Sequence, residues 1–311
     1  MKAAIFSCKG LGDGLISLLL SNNLYLNGYR VDTFHGSLDQ MQSFFSHLPI
    51  KKYPNEDKID QILKFYDQIF VSYNESSSFI MKLIKEGKKI FIDKVFVLNP
   101  CPSKKIGGQP YHRDALFDPS INMVDNILLF CKKILKLKKT SKKIDLKIDK
   151  NLTFKKFEKR VILHPASAKK SKNWPINKYI KLAQVLKLKG YDPVFVIKEN
   201  EREEFKIIEE KKIILKSFDN LKNLTNFIYE SSFMIGNDSG IGHLSSLLGL
   251  RTISIFRNHR SANLWRPGWS QNEAIFPARF IPNISVYRLR DKHWKRFISF
   301  RKILKHFYKR T

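Results

Sequence analysis

Acidic residues are scarce in this chain: 28 Asp plus Glu stand against 57 Lys plus Arg, a formal net charge of +29 over 311 residues. A surface so short of carboxylates draws polyanions, whether nucleic acid, an anionic membrane leaflet or a phosphorylated glycolipid. Charge alone does not choose among these, and a solvated, lysine-biased surface with no partner satisfies the same composition. Cysteine is scarcer still. Cys8, Cys101 and Cys131 lie far apart in no CxxC spacing, which leaves a disulfide framework and a cysteine metal site without support and fits a reducing compartment. No apolar run approaches the roughly 18 residues of a membrane-spanning helix. Lys9 and Asp13 interrupt the opening apolar stretch too early for a signal peptide, so the expectation is a cytoplasmic chain. Lys9-Gly-Leu-Gly-Asp-Gly14 lacks the Gly-Lys-Ser/Thr ending of a P-loop and does not fit GxGxxG.

What is present is a foldable alternation of apolar strands and helices. Hydrophobic residues make up 43% of the chain and there are 24 Phe, which argues against disorder. Ala3 to Phe6, a glycine loop and an amphipathic helix from Leu15 to Leu26 read as the first unit of a parallel α/β sheet. Strands are expected at 30–34, 68–72 and 89–98, a helix at 122–136, and a Pro- and Gly-containing loop at 99–109. Periodicity stops in the lysine run after 137, and 139–156 is polar enough for an interdomain linker. The alternation then resumes. Strands are expected at 161–163, 194–197, 212–215 and 233–235, with a last one at 251–256, and helices at 177–189, 200–210, 220–229 and 241–250. The fold class is α/β, with two doubly wound Rossmann-like domains facing each other across a cleft, one over 1–150 and one over 158–290.

Three loops follow strands in the manner of ligand sites in open α/β sheets. Phe233-Met-Ile-Gly-Asn-Asp-Ser-Gly-Ile-Gly-His243 runs from a buried strand through a turn with almost no side-chain bulk into an apolar helix. Its first N–H groups lack helical partners, and the dipole favours an anion there. An ordinary turn capped by Asp238 or Ser239 accounts for the same residues. His164-Pro-Ala-Ser-Ala-Lys-Lys-Ser-Lys-Asn-Trp-Pro175 offers a hydroxyl and lysines after a strand, suited to a pyrophosphate, although Lys172 alone is equally a surface lysine. Asp13, where the first loop becomes a helix, is either a helix-start carboxylate or a general base.

Gly12-Asp13, His164-Pro165 with Lys172-Asn-Trp-Pro175, and Asn237-Asp-Ser-Gly-Ile-Gly-His243 together resemble glycosyltransferase family 9, the ADP-heptose:lipopolysaccharide heptosyltransferases and their relatives. The resemblance spans nearly the whole chain. It implies a GT-B architecture, with the acceptor on the first domain and the nucleotide sugar on the second, and inversion at the anomeric carbon with no metal and no cofactor. It casts Asp13 as the catalytic base, and Lys172, Ser239 and Gly240 as the seat of the donor diphosphate. Ser167, Glu201, Asp238 and His243 become further donor contacts, with Glu201 on the ribose. ADP-heptose is the expected donor and a lipopolysaccharide or related glycolipid the acceptor. The lysines would then recruit a monomeric protein to the anionic inner face of the inner membrane. A C-terminal helix over 291–309 is expected to return onto the first domain. Leu18-Leu-Leu20, where the family often has proline, and Ile241-Gly242 before His243 depart from its pattern. The competing expectations are a basic nucleic-acid-binding protein, with Trp294, Phe297, Phe300 and Phe307 in its tail, and a catalytically silent glycolipid binder. The lack of a zinc pattern or RNP-like signature speaks against specific nucleic-acid recognition.

Overall fold

The computed structural model describes residues 1–98, 117–283 and 289–309; the loop expected at 99–109 and Cys101 lie outside them. The chain divides into two compact units, Met1–Asp118 with Met123–Lys147, and Pro119–Asn122 with Ile148–Thr311.

The first unit is a five-stranded parallel sheet in the order β3-β2-β1-β4-β5. In chain order its elements are β1 (Lys2–Phe6), α1 (Leu11–Tyr25), β2 (Arg30–Phe34), β3 (Ile50–Lys51), α2 (Ile59–Phe65), β4 (Gln68–Ser72), α3 (Ser78–Ile90), β5 (Val95–Leu98) and α4 (Met123–Leu129). Central β1 is buried on both faces, Ala3 through Phe6 having no exposed surface, as expected of a parallel strand covered by helices on each side. The strand expected at 89–98 is shorter, because α3 continues through Ile90 with Phe79, Ile80, Leu83 and Ile84 as its buried stripe. Lys88 and Lys89 stand in its last turn, where cations suit the helix dipole.

α1 departs from the amphipathic expectation: it is buried all round from Gly14 through Leu24, Ser17, Ser21, Asn22 and Asn23 included. Its polar side is covered by the lysine-rich segment taken for a linker. The Asn23 amide donates to Ser141 O at 2.9 Å and accepts from Ser141 N at 2.7 Å. One turn on, Asn27 donates to Lys139 O at 2.7 Å and accepts from Lys139 N at 3.1 Å. Two asparagines at i and i+4 thus serve an extended strand of backbone that has no sheet to join. Residues 139–143 belong to the first unit, and the division between the units falls between Lys147 and Ile148. Replacing Asn23 by Ala orphans the half-buried N–H and C=O of Ser141, at roughly 1 kcal/mol or more each. Urea unfolding of Asn23→Ala is expected to show a loss of about 2–3 kcal/mol, whereas a loose linker would leave stability unchanged.

The second unit holds a six-stranded parallel sheet in the order β11-β10-β9-β6-β7-β8. It runs β6 (Phe157–His164), α5 (Ile176–Leu188), β7 (Asp192–Lys198), α6 (Ile207–Glu210), β8 (Ile214–Phe218), α7 (Leu221–Tyr229), β9 (Ser231–Asn237), α8 (Gly240–Leu247), β10 (Arg251–Ile255), α9 (His259–Trp265), β11 (Asn272–Ile275), α10 (Leu289–Lys292) and α11 (Phe300–Tyr308). β10 is not the last strand: β11 pairs with it in parallel at the sheet's edge, where a short polar sequence suffices.

The C-terminal segment, expected on the first domain, is part of the second unit. Trp294, Ile298, Ile303, Leu304 and Phe307 join the core of the second, and the Phe307 ring stands 5.0 Å from both Tyr191 and Phe233. Buried Arg251 donates to the carbonyls of Phe307 at 2.9 Å and His306 at 2.6 Å, filling the orphan acceptors at the end of α11 with a cation. Trp174 Nε1 and Lys178 Nζ bind Ile298 O at 3.1 and 2.9 Å. With Trp294 and Phe307 only 3% and 1% exposed, they are core contacts rather than a base-stacking platform.

Candidate active site

In the first unit the chemistry gathers at the carboxyl end of β1. Asp13 occupies the first turn of α1, whose N-cap, Gly10, supplies no capping side chain. The Asp13 side chain folds back over this loop: a Cβ at Gly10 would lie 2.5 Å from its Oδ2, so a larger residue there would displace the carboxylate. A Cβ at Gly14 would meet the His35 ring at 2.9 Å. His35, buried at the end of β2, pins the loop. Ser37 N and Leu38 N donate to its Nδ1 at 3.1 Å each, leaving Nε2–H to donate to Gly10 O at 3.1 Å. Cys8 and Tyr53 border the carboxylate. Burial, and then the Asp13 charge, pushes the Cys8 thiol up to about 12, and the Tyr53 phenol is raised by burial and by the charges of Cys8 and Asp13. A cavity of about 260 Å³ opens beside them, lined by Lys9, Tyr53, Asn74, Ser76 and Ser78 among others. Hydroxyls, an amide and one cation suit a sugar with an anionic substituent. His35 went unnoticed in the sequence, although its place one residue past β2 was the available signal.

In the second unit the ends of β6 and β9 bring two of the three motifs together. Lys172 Nζ meets Asp238 Oδ2 at 2.6 Å, immediately before the start of α8. Ser239 is the N-cap of α8, yet its hydroxyl caps nothing and is buried with no partner among the described residues. The opening turn through Ser239 and Gly240 therefore presents a helix N-terminus with a lysine beside it. What fixes this geometry is Asn237, fully buried at the end of β9. Its Oδ1 accepts from Trp174 N at 3.0 Å and from Tyr179 OH at 3.1 Å, while its Nδ2 donates to Pro165 O at 2.5 Å. One side chain thereby ties the loop carrying Lys172 to the strand carrying Asp238, a role that the motif alone does not show.

The remaining residues have more local roles in the structure. The Ser167 hydroxyl lies 2.6 Å from Asn173 Oδ1 and 2.9 Å from Lys169 O, holding its own loop. Glu201 Oε2 accepts from Lys198 N at 3.0 Å, closing the turn after β7. His243, one turn into α8, is buried under the helix against the edge of Trp269, with its Nδ1 unpartnered among the described residues. Burial is the main cause that lowers it to about 4, against the opposing pull of the Asp238 charge. It is neutral at pH 7.

Burial also lowers His35 and His164 below the ordinary histidine value. A histidine depressed in the folded state is neutral there while its unfolded counterpart takes up a proton below about pH 6.5, so stability falls as pH drops below that point. His243 alone, moved to about 4, accounts for roughly 3 kcal/mol lost by pH 4. Urea midpoints measured from pH 7 to pH 4 are expected to fall steadily, and His243→Gln to flatten the slope. A pH-independent midpoint would refute this.

Among the described residues no group of three or more His, Cys, Asp or Glu is gathered as a metal site, and no helix is long and apolar enough to cross a membrane. The sequence profile described as Glycosyltransferase family 9 (heptosyltransferase) matches residues 64–285, more than half of the chain. The chain belongs to glycosyltransferase family 9. A comparison with curated proteins finds no match. Among solved structures, E. coli ADP-heptose lps heptosyltransferase II is similar with a TM-score of 0.66 at 14% identity, covering 99% of this chain and 98% of that one. E. coli heptosyltransferase WaaC with ADP gives 0.67 at 13%, covering 100% of both chains. The glycosyl transferase family 9 structure from Veillonella parvula gives 0.70 at 13%, covering 99% and 96%. At such identity these likenesses speak for the fold, which is that of the GT-B glycosyltransferases, and family membership makes this protein a glycosyltransferase.

Proposed function

We propose that this family 9 glycosyltransferase moves a heptose from ADP-heptose onto a hydroxyl of a lipopolysaccharide core or related glycolipid, with inversion at the anomeric carbon. Asp13 Oδ takes the proton of the acceptor hydroxyl as its oxygen forms the new bond to the anomeric carbon, and the bond from that carbon to the diphosphate breaks to release ADP. A sugar hydroxyl is a poor nucleophile, and a positioned base is worth ~10²–10⁴-fold. The charge that grows on departing ADP is met by Lys172 and by the N–H groups of Ser239 and Gly240, donors already in place before reaction. Ser167, Glu201, Asp238 and His243 shape the rest of the donor site, Glu201 toward the ribose. The acceptor sugar is assigned to the cavity beside Asp13, and the lysine-rich surface to peripheral contact with an anionic leaflet.

The observation that carries this reading is the pairing of Lys172 with Asp238 at an uncapped helix start. A relative's structure holding ADP, E. coli heptosyltransferase WaaC, supports the choice of nucleotide. The test is thermal stabilisation by a panel of nucleotide sugars, followed by turnover with the best binder. A ligand at 100 times its Kd stabilises by ~2.7 kcal/mol. ADP-heptose is expected to raise Tm and to be consumed in the presence of acceptor. A panel in which no ADP compound shifts Tm would end the assignment, and stabilisation without turnover would leave a silent binder.

A further inference from the structure

The basic residues are not evenly typed. Residues 1–250 carry 38 lysines and four arginines, whereas residues 251–300 carry two lysines and eight arginines. A lysine-biased composition does not produce such a local reversal. Guanidinium differs from ammonium in its planar fork, which binds phosphate oxygens in pairs. Five of these arginines, Arg257, Arg260, Arg266, Arg279 and Arg290, fall on the segments that leave β10 and β11 at their carboxyl ends or on α10, and none is in an ion pair among the described residues. Of the two acids in residues 257–291, Glu273 is committed to Arg251 at 3.2 Å and to His306 at 2.5 Å, and Asp291 directly follows Arg290 in α10.

Several of these cations are held in place around His259. Arg279 Nη2 contacts His259 Nε2, and Arg290 Nη1 donates to Arg279 O at 2.9 Å. Arg266 Nη1 donates to Asn263 O at 3.2 Å, within α9, and the His259 ring stands edge-on to Phe276 at 5.0 Å. Besides burial, the charges of Arg279, Arg266 and Arg290 lower His259 below its ordinary value, so all three place positive potential at the ring. Gathering like charges opposes folding. An anion removes that cost.

We propose that Arg266, Arg279 and Arg290, around His259, form a second phosphate subsite, which binds a phosphomonoester carried by the acceptor and is distinct from the seat of the donor diphosphate. It rests on the transferase reading for the identity of the molecule that carries the phosphate. Asp238 N donates to Ile255 O at 3.1 Å, which places the donor seat beside the end of β10. β11, from which Arg279 follows, is two strands from β9, so the two anion sites lie at the same end of one sheet, after strands about 10 Å apart. That separation leaves room for a sugar between a donor phosphate and an acceptor phosphate.

His259 supplies the readout. Histidine-labelled protein is followed by NMR while inorganic phosphate is added at constant ionic strength, with and without saturating ADP. Phosphate is expected to move the His259 resonances saturably and to raise its pKa, with ADP present as well as absent. Glucose 6-phosphate is expected to act likewise and glucose not. The Arg266→Lys/Arg279→Lys variant is expected to bind phosphate at least tenfold more weakly with its ADP affinity unchanged, the latter showing that it is folded. A response no larger than that to chloride, or one that ADP abolishes, overturns the proposal, because the cluster would then be solvated surface or part of the donor seat. Phosphate binding in a protein that binds no ADP would sink the donor reading and leave this site standing.

Discussion

Asp13→Asn is expected to lower kcat by about 10²–10⁴ while leaving the Kd for ADP within twofold of the wild type. Asparagine keeps the size of the side chain and its place in the first turn of α1, but the amide accepts no proton at neutral pH. The His35 hydrogen bond to Gly10 O also holds the loop and does not involve the carboxylate. The proposed ADP seat, Lys172 and the start of α8, lies wholly in the second unit, so on that reading nucleotide affinity has no reason to change. Steady-state turnover with ADP-heptose and calorimetric titration with ADP separate the two. Wild-type kcat in the variant would remove Asp13 from the chemistry. Loss of ADP binding alongside kcat would instead mean that the residue supports the fold of its loop.

Much of this arrangement was legible in the chain. Parallel strands covered on both faces are short, continuous apolar runs, and Val161 to Leu163, Val194 to Ile197 and Phe233 to Ile235 read as such because their neighbours are polar. Helix starts were legible where a side chain caps, as at Asn220, whose Oδ1 accepts from Asn223 N at 2.8 Å. Failures share a different cause, in that the deciding partner is distant in sequence. α1 reads as amphipathic, but backbone more than a hundred residues away covers its polar Asn22 and Asn23. The C-terminal segment was sent to the first unit by analogy, whereas its attachment is Arg251 reading the carbonyls of α11, a contact no local pattern announces. β11 was missed because an edge strand needs only one partner and so carries little apolar signal. In the site, motif residues were found but their division of labour was not. Asn237, which orients the seat, and His35, which pins the Asp13 loop, act through hydrogen bonds that exist only once β6 meets β9 and β1 meets β2.

Lys172→Met is the second substitution with a large expected effect, and its pairing with Asp238 makes the outcome diagnostic. The lysine has a carboxylate counter-ion at 2.6 Å, so a diphosphate bound there competes with Asp238. Removing the lysine costs twice: the leaving group loses a donor worth about 2.7–4 kcal/mol in the transition state, or 10²–10³ in kcat, and Asp238 is left facing an anion. ADP affinity should therefore drop more in Lys172→Met than in Lys172→Met/Asp238→Asn, in which the repulsion is gone. Turnover should recover in neither. Asp238→Asn alone frees the lysine and is expected to tighten ADP several-fold while slowing transfer, since the carboxylate no longer returns Lys172 to its place once ADP departs. A double variant that binds ADP no better than Lys172→Met would show that Asp238 does not face the diphosphate. In that case the ion pair would be a structural contact at the mouth of β9, and the α8 N-terminus would bind the donor without it.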